Sequence, residues 1–319
     1  MKLVIFIPCY NEEETLPIVL ESLPSHIKGI DEIQTLIVDD GSKDRTIAVA
    51  KSYGIKDFVI HHRNQGLARS WRHGIMGSLE LGADIIVITD ADNQYKQERI
   101  PELIQPILDG KADVVLADRM TQTVQDFSPT KKALQRLGTH ILNKAADTDV
   151  PDVMTGFRAY TRQAAMQLNP IADFSWAPET TMQSSQKRHR IVSVEIPTNP
   201  KLRESRQYKS PWVAVRRGSK TISRVFVMYK PYRLFLTIAG ILLVLSLLPL
   251  INFAYDYFAG QTRFLFGTHP AEGLILSSGF AVSAFVSAAL GVVADLIRIN
   301  RQLIEETLFE VRQTRLNKK

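Results

Sequence analysis

Cysteine is almost missing from this 319-residue chain, where Cys9 stands alone. An internal disulfide is excluded, which suits a reducing compartment. His61, His62 and His73 have no companion cysteine and no H-x-x-x-H spacing, so a metal-ligand role lacks its signature and they are read as polar residues near a cleft or surface. No G-x-G-x-x-G follows the first strand-like run and no G-x-x-x-x-G-K-[ST] occurs, so the dinucleotide and P-loop fingerprints are both absent. There is no internal repeat. The apolar start Met1–Pro8 is too short for a secretory h-region with its cleavage site, so the first domain is expected to stay in the cytoplasm. Acidic residues are in deficit, 33 against 39 Lys and Arg, which gives a charge of +6 and a pI near 9.3. Such a surplus suits nucleic acid, an anionic membrane surface or phosphorylated substrates.

Charge itself is missing from two stretches, Leu234–Phe253 and Leu274–Ala294. Each approaches the roughly 20 residues a helix needs to cross a bilayer. Lys230 and Arg233 precede the first, Arg298 and Arg301 follow the second, and the connection from Ala254 to Gly273 holds only Arg263 as a basic residue. The positive-inside rule then places both termini in the cytoplasm, in a multi-pass protein of the cell membrane. The second stretch carries Ser277, Gly279, Ser283, Ser287 and Gly291, a small-residue stripe suited to packing between the two spans or between protomers of a homo-oligomer.

What the first 200 residues do have is alternation. Strand-like runs (Leu3–Ile7, Gln34–Val38, Phe58–Ile60, Ile85–Thr89, Val114–Ala117) alternate with helical patterns (Glu13–Leu23, Asp44–Tyr53, Ala68–Leu81). Phe157–Tyr160 and Ile191–Ile196 read as further strands, and Pro178–Lys187 as a helix. This predicts an α/β domain over residues 1–200 with a doubly wound sheet. A basic amphipathic linker is expected over 201–232, two spans within 233–297 and a basic cytoplasmic tail over 298–319. The linker mixes Arg203, Arg206, Lys209, Arg216 and Arg217 with Trp212, Val213 and Val215. It suits a helix lying in the membrane interface or one packed on the first domain.

The stretch with most chemistry is Asp84–Gln94, where a β-branched apolar run stops at Asp90-Ala91-Asp92. Two carboxylates at a strand end can cap a helix, or they can hold a divalent cation that prefers oxygen. Four other strand ends are also polar: Pro8-Cys9-Tyr10-Asn11-Glu12, Asp39-Asp40-Gly41-Ser42, Asn64-Gln65-Gly66 and Asp118-Arg119. Ligands of open α/β sheets bind outside the carboxyl ends of strands. Capping alone would not produce all five clusters. Carboxylates and amides at the early strands can bond base and ribose edges, and a cation at Asp90 and Asp92 can take a diphosphate. That describes a nucleotide-sugar site.

These residues resemble the motif series of family 2 glycosyltransferases with the GT-A fold: Pro8-x-Tyr10-Asn11-Glu12, Val38-Asp39-Asp40-Gly41-Ser42-x-Asp44-x-Thr46, Asn64-x-Gly66 and Asp90-x-Asp92-x-Gln94. Asp152–Ala159 is similar to the downstream D-x-x-[ST]-G-F-[RF]-A element of dolichol-phosphate mannose synthases and bacterial polyprenyl-phosphate glucosyltransferases. The likeness is close over residues 3–210 and rests on topology alone for the spans. It implies a GT-A domain with a mixed sheet. It places Pro8, Tyr10, Asn11, Glu12, Asp39, Asp40, Asn64, Gly66, Asp90 and Ala91 at the nucleotide sugar. Asp92 and Gln94 would bind Mg2+ or Mn2+. Arg119 would contact phosphate, although Ala117-Asp118 replaces the family's Gly-Ser before it. Lys131, Lys132, Arg136, Arg203 and Arg206 would grip the acceptor phosphate or close over the diphosphate.

The expected reaction is inverting transfer of a hexose, from UDP-glucose or GDP-mannose, to a polyprenyl phosphate at the cytoplasmic face. The expected partners are donor, lipid and membrane, with no nucleic acid. A phosphate anion needs no strong base, whereas a sugar hydroxyl would. Asp152 and Glu179 are the candidates if a base is used, with a turn residue and a first-turn helix acid as their plainer readings. Trp176 suits either a sugar or lipid contact or the core. Other lipid or glycan acceptors and a non-catalytic scaffold are the alternatives. The lack of Q-x-x-R-W argues against processive synthesis.

Overall fold

In the computed structural model, residues 1–120, 129–171, 176–200, 227–259 and 270–317 are described. The chain divides into two compact units, one holding the sheet together with Glu305 onward, the other running from Phe226 to Ile304.

The first unit is a seven-stranded sheet of order β3-β2-β1-β4-β6-β5-β7. The strands are β1 (Lys2–Cys9), β2 (Glu32–Asp39), β3 (Asp57–Ile60), β4 (Ile85–Ile88), β5 (Val114–Asp118), β6 (Arg158–Thr161) and β7 (Ile191–Glu195). All pairings are parallel except those of β6, which runs antiparallel to both β4 and β5. One inverted strand leaves the other six pointing the same way, so their carboxyl ends share one rim. Leu3, Val4, Ile5, Phe6 and Ile7, and Ile85 to Ile88, are all fully enclosed, because helices cover both faces of a parallel sheet and remove the need for alternation.

Around the sheet lie α1 (Leu16–Glu21), α2 (Thr46–Ser52), α3 (Leu67–Glu80), α4 (Ile100–Leu108), α5 (Pro129–Ala146), α6 (Arg162–Gln167) and α7 (Trp176–Gln186). Two helices start later than their sequence pattern suggests. The amides of Glu12 and Glu13 donate to Thr46 Oγ1 (2.9 Å) and Asp44 Oδ2 (3.1 Å). These residues therefore lace two rim loops together, and α1 begins only at Leu16. Asp44 likewise stays outside α2, with Oδ1 accepting from the Thr46 amide at 3.0 Å.

The second unit contains most of two long helices, α8 (Pro231–Ala259) and α9 (Pro270–Asn317). Both are long and apolar enough to cross a membrane. Ser277 Oγ donates to Ser246 O (2.7 Å) and Ser287 Oγ to Phe235 O (3.0 Å), while a Cβ on Gly291 would lie 2.9 Å from Phe235 Cβ. Small residues here bring the two helices of one chain together. Gly279 and Ser283 do not take part: Ser283 is exposed, and none of the described residues lies within 4 Å of where a Cβ on Gly279 would sit.

The expected separate tail is not a separate element. Helix α9 continues unbroken to Asn317, and its last turns belong to the sheet unit. Arg312 Nη1 donates to Met166 O and Leu168 O, both at 2.9 Å, and Arg315 pairs with Glu80 at 2.7 Å. The guanidinium satisfies carbonyls left open where α6 ends, so Arg312 and Arg315 serve docking.

Candidate active site

The rim is assembled by backbone register. Cys9 pairs with Asp39 and Asp39 with Ile60, and the amides of Asp40 and His61 donate to Cys9 O (2.8 Å) and Asp39 O (2.9 Å). Asn11 adopts a left-handed φ of 56°. Its amide donates to Ser42 Oγ (2.9 Å) and its Oδ1 accepts from Lys43 N (2.8 Å), which joins the loops after β1 and β2. Asp39 is 1% exposed; Oδ2 accepts from Ser42 N at 3.1 Å, while Oδ1 has no partner among the described residues. A buried carboxylate oxygen left open is costly unless a ligand supplies a donor.

Asp40 differs from its neighbour. Its carboxylate accepts from Gln65 N (2.8 Å), Gly66 N (2.9 Å) and His61 Nδ1 (2.7 Å). All three bonds hold the segment 61–66, so the structure gives Asp40 a structural task beside the expected ligand contact. Gly41 lets this segment close in: its φ is +77°, and a Cβ there would lie 2.7 Å from the Arg63 carbonyl carbon. Gly41→Ala is expected to destabilise the unit by about 1–3 kcal/mol through left-handed strain and displaced backbone, read as a lowered thermal midpoint. An unchanged midpoint would show that the segment is not clamped there.

Asp90 and Asp92 follow β4. Burial first, then the charge of Asp92, raises the pKa of Asp90 to about 7, against the pull of Arg119, while Glu12 adds to the rise. Gly156 makes room for this carboxylate, since a Cβ would lie 3.0 Å from Asp90 Oδ2. The Gly156 amide donates to Tyr95 Oη at 2.8 Å. Asp92 Oδ1 accepts from Gln94 N (3.0 Å), and Asn93 turns the loop with φ 57°. Acid also gathers around Cys9: after burial, the charges of Glu12, Asp39, Asp44 and Asp90 push its thiol well up.

Sequence reading missed Asn199 here. Its Nδ2 donates to Asn93 O (3.1 Å) and Tyr95 O (3.2 Å), and its amide to Gln94 O (2.9 Å). The only signal was an amide between Pro197 and Pro200, which marks a turn and not a partner in space.

Arg119 lies beside Asp90. Its Nε and Nη2 donate to Asp152 at 2.6 and 3.0 Å, and Asp152 is 1% exposed. Burial works against the Arg119 charge, but Asp152, Tyr95 and Asp90 more than offset it and hold the guanidinium ionised. Asp152 also accepts from Met154 N at 3.2 Å. Both oxygens of Asp152 are thus engaged by Arg119, so the base reading of Asp152 is corrected to that of an anchor for that guanidinium. Glu179 is buried in the first turn of α7, where its Oε2 accepts from Ile171 N at 3.0 Å. The structure thus shows its plainer reading.

Arg158 was quoted within a motif without a task. It is fully buried and donates to Thr155 O (2.9 Å), Val153 O (2.7 Å) and the hydroxyls of Thr180 and Thr181 (3.0 Å each). It ties the loop beside Asp152 and Gly156 to α7. Its guanidinium lies over the Trp176 ring at 5.1 Å, and Trp176 stacks on Trp71 at 5.6 Å. Trp176 is therefore a core residue.

Pro8 is half-buried, Tyr10 and Asn64 are exposed, and Ala91 is buried. Lys132 and Arg136 are carried by α5, half-buried and exposed respectively. Arg203, Arg206 and the side chain of Lys131 lie outside the described residues. Two concavities of about 500 and 340 Å3, the first around Pro101 and Lys111 and the second around Asp147 and His189, contain none of the expected site residues.

With this rim in view, the comparisons give a family. Residues 4–168 match the model of glycosyl transferase family 2, and the chain belongs to that family. It is 28% identical over 206 residues to an undecaprenyl-phosphate mannosyltransferase of Micrococcus luteus, covering 61% of this chain and 83% of that one. It is 30% identical over 184 residues to a UDP-N-acetylglucosamine–dolichyl-phosphate N-acetylglucosaminyltransferase of Methanococcus voltae, covering 52% and 71%. Among solved structures, glucosyl-3-phosphoglycerate synthase of Mycobacterium tuberculosis, in complex with Mn2+, UDP-glucose and phosphoglyceric acid, aligns with a TM-score of 0.54 at 19% identity, covering 71% and 78%. That likeness establishes the GT-A fold. The chain is thus a family 2 glycosyltransferase, and relatives by sequence carry names that place their acceptors among polyprenyl and dolichyl phosphates.

Proposed function

We propose that this protein transfers one hexose, with inversion, from a nucleotide-diphosphate sugar to a polyprenyl phosphate at the cytoplasmic membrane face. The observation that carries the reading is the acidic pair Asp90 and Asp92 at the end of β4 with the Arg119 guanidinium beside it.

The pair fits a divalent cation. Burial and the charge of Asp92 raise the Asp90 pKa to about 7, and a bound cation would offset both by favouring the carboxylate. No cluster of three or more acidic, histidine or cysteine side chains able to hold a metal occurs among the described residues. Asp92 and Gln94 would therefore hold the ion together with donor phosphate oxygens, which ties metal binding to donor binding. When bound, Mg2+ or Mn2+ would neutralise the diphosphate as it leaves.

The chain's own groups do the rest. Asp39 Oδ1 offers an acceptor to a nucleobase N–H or ribose hydroxyl, with Pro8, Tyr10 and Glu12 along the same rim. Arg119, anchored by Asp152, presents positive charge where phosphate arrives. A phosphate oxygen of the acceptor attacks the anomeric carbon, the carbon–oxygen bond to the diphosphate breaks, and the nucleoside diphosphate departs. The acceptor is already an anion, so no proton needs to be removed. Lys132, Arg136, Arg203 and Arg206 would bring two anions together. The two apolar helices would anchor the chain in the bilayer that holds the lipid.

The test uses the full chain in vesicles containing undecaprenyl phosphate, with radiolabelled UDP-glucose or GDP-mannose and Mn2+. The expected product is a glycolipid whose label mild acid releases. Label in an acid- and alkali-resistant lipid would assign a different acceptor and overturn the reading.

A further inference from the structure

Two of the three histidines with no task in the sequence, His61 and His73, are joined in the fold. His61 is 5% exposed and its Nδ1 bonds Asp40 Oδ1 at 2.7 Å. Its Nε2 meets His73 Nδ1, also at 2.7 Å, with the rings edge-on and 4.9 Å apart. The chain of contacts runs from α3 through the end of β3 to the end of β2. It stops at the carboxylate that holds the amides of Gln65 and Gly66.

We propose that His61 and His73 are positioning residues for donor binding: they orient Asp40, and through it the segment 61–66 beside the open oxygen of Asp39. This rests on the reading that the rim takes the nucleotide half of a sugar donor. Neither histidine touches the donor.

Hydrogen-bond direction sets the protons. With Asp40 ionised, His61 Nδ1–H donates to it, His61 Nε2 accepts, and His73 Nδ1–H donates. One added proton fits, because His61 can become imidazolium between Asp40 and a His73 of the other tautomer. A second sets two N–H donors face to face and breaks the link. Burial first, then His61, Arg72 and Arg69, lowers the His73 pKa, with Asp40 opposing. The intact relay is thus the state at neutral pH. It is lost as pH falls through the depressed titration of His73, below the ordinary histidine range.

The experiment measures UDP and GDP binding to the full chain in detergent with Mn2+, by calorimetry from pH 5 to pH 8, together with donor KM and kcat. His61→Ala is expected to raise the dissociation constant and KM about tenfold, the effect of leaving a buried group unpaired, with kcat changed less than about twofold. His73→Ala is expected to weaken binding about threefold, an outer-link loss of under 1 kcal/mol. His73→Asn returns a hydrogen-bonding group at the Nδ1 place, so it should rescue that loss and flatten the fall in affinity toward the acid end of the range. Unchanged binding in a folded His61→Ala, or a His73→Asn curve that follows the parent's, overturns the relay. The asparagine variant decides the question even if His61→Ala fails to fold. A parent chain that binds neither nucleotide at any pH overturns the donor site itself, and the relay with it.

Discussion

Asp92→Ala is expected to lower kcat/KM about a thousandfold, about 4 kcal/mol of transition-state stabilisation, and to abolish the response of rate to Mn2+. Asp92 is half-buried and its Oδ1 takes only the Gln94 amide among the bonds described above, so little of the fold depends on it. Its charge is the second cause, after burial, of the raised Asp90 pKa. Removing it leaves Asp90 more readily ionised but without a partner for a cation. The thermal midpoint should hold or rise, as expected where like charges are kept together for function. Chelation of the parent enzyme should reproduce the variant's rate. Metal-dependent transfer within about tenfold of the parent would sink the metal site.

Arg119→Ala is expected to do what Asp92→Ala does not, and destabilise the sheet unit by about 3–5 kcal/mol. The reason is Asp152, which is 1% exposed and would lose both bonds from the guanidinium. Transfer should fall too, because positive charge is withdrawn from the arriving phosphate. The double variant Arg119→Met with Asp152→Leu separates the two effects. Replacing both partners by apolar groups is often neutral for stability, so the midpoint should recover while transfer does not. Recovery of both would reduce the pair to packing. A single variant that keeps its midpoint would show that Asp152 is satisfied some other way.

Strand ends were legible because buried strands leave an apolar run and rim chemistry interrupts it abruptly, as at Ile88, Thr89 and Asp90. Asp90 and Asp92 stand out locally for that reason. The spans were legible from length and lack of charge. The pairing of Arg119 with Asp152, 33 residues on, was not, because no local pattern encodes which charge a buried guanidinium meets. Asp39 and Asp40 look alike in sequence, yet one keeps an oxygen open and the other holds the segment 61–66. Only the approach of that segment over Gly41 distinguishes them.

The α/β class, the two apolar helices and the family follow from the sequence by itself, since period, run length and motif order are local properties of a chain. Tertiary structure alone decided that β6 runs against its neighbours, that Asn199 holds the loop after Asp92, that Asp152 anchors an arginine, and that the last turns of α9 dock on the sheet unit through Arg312. Each of these depends on a hydrogen bond or ion pair between residues far apart in the chain. Such partners are set by how the layers pack, and packing is a property of the whole fold.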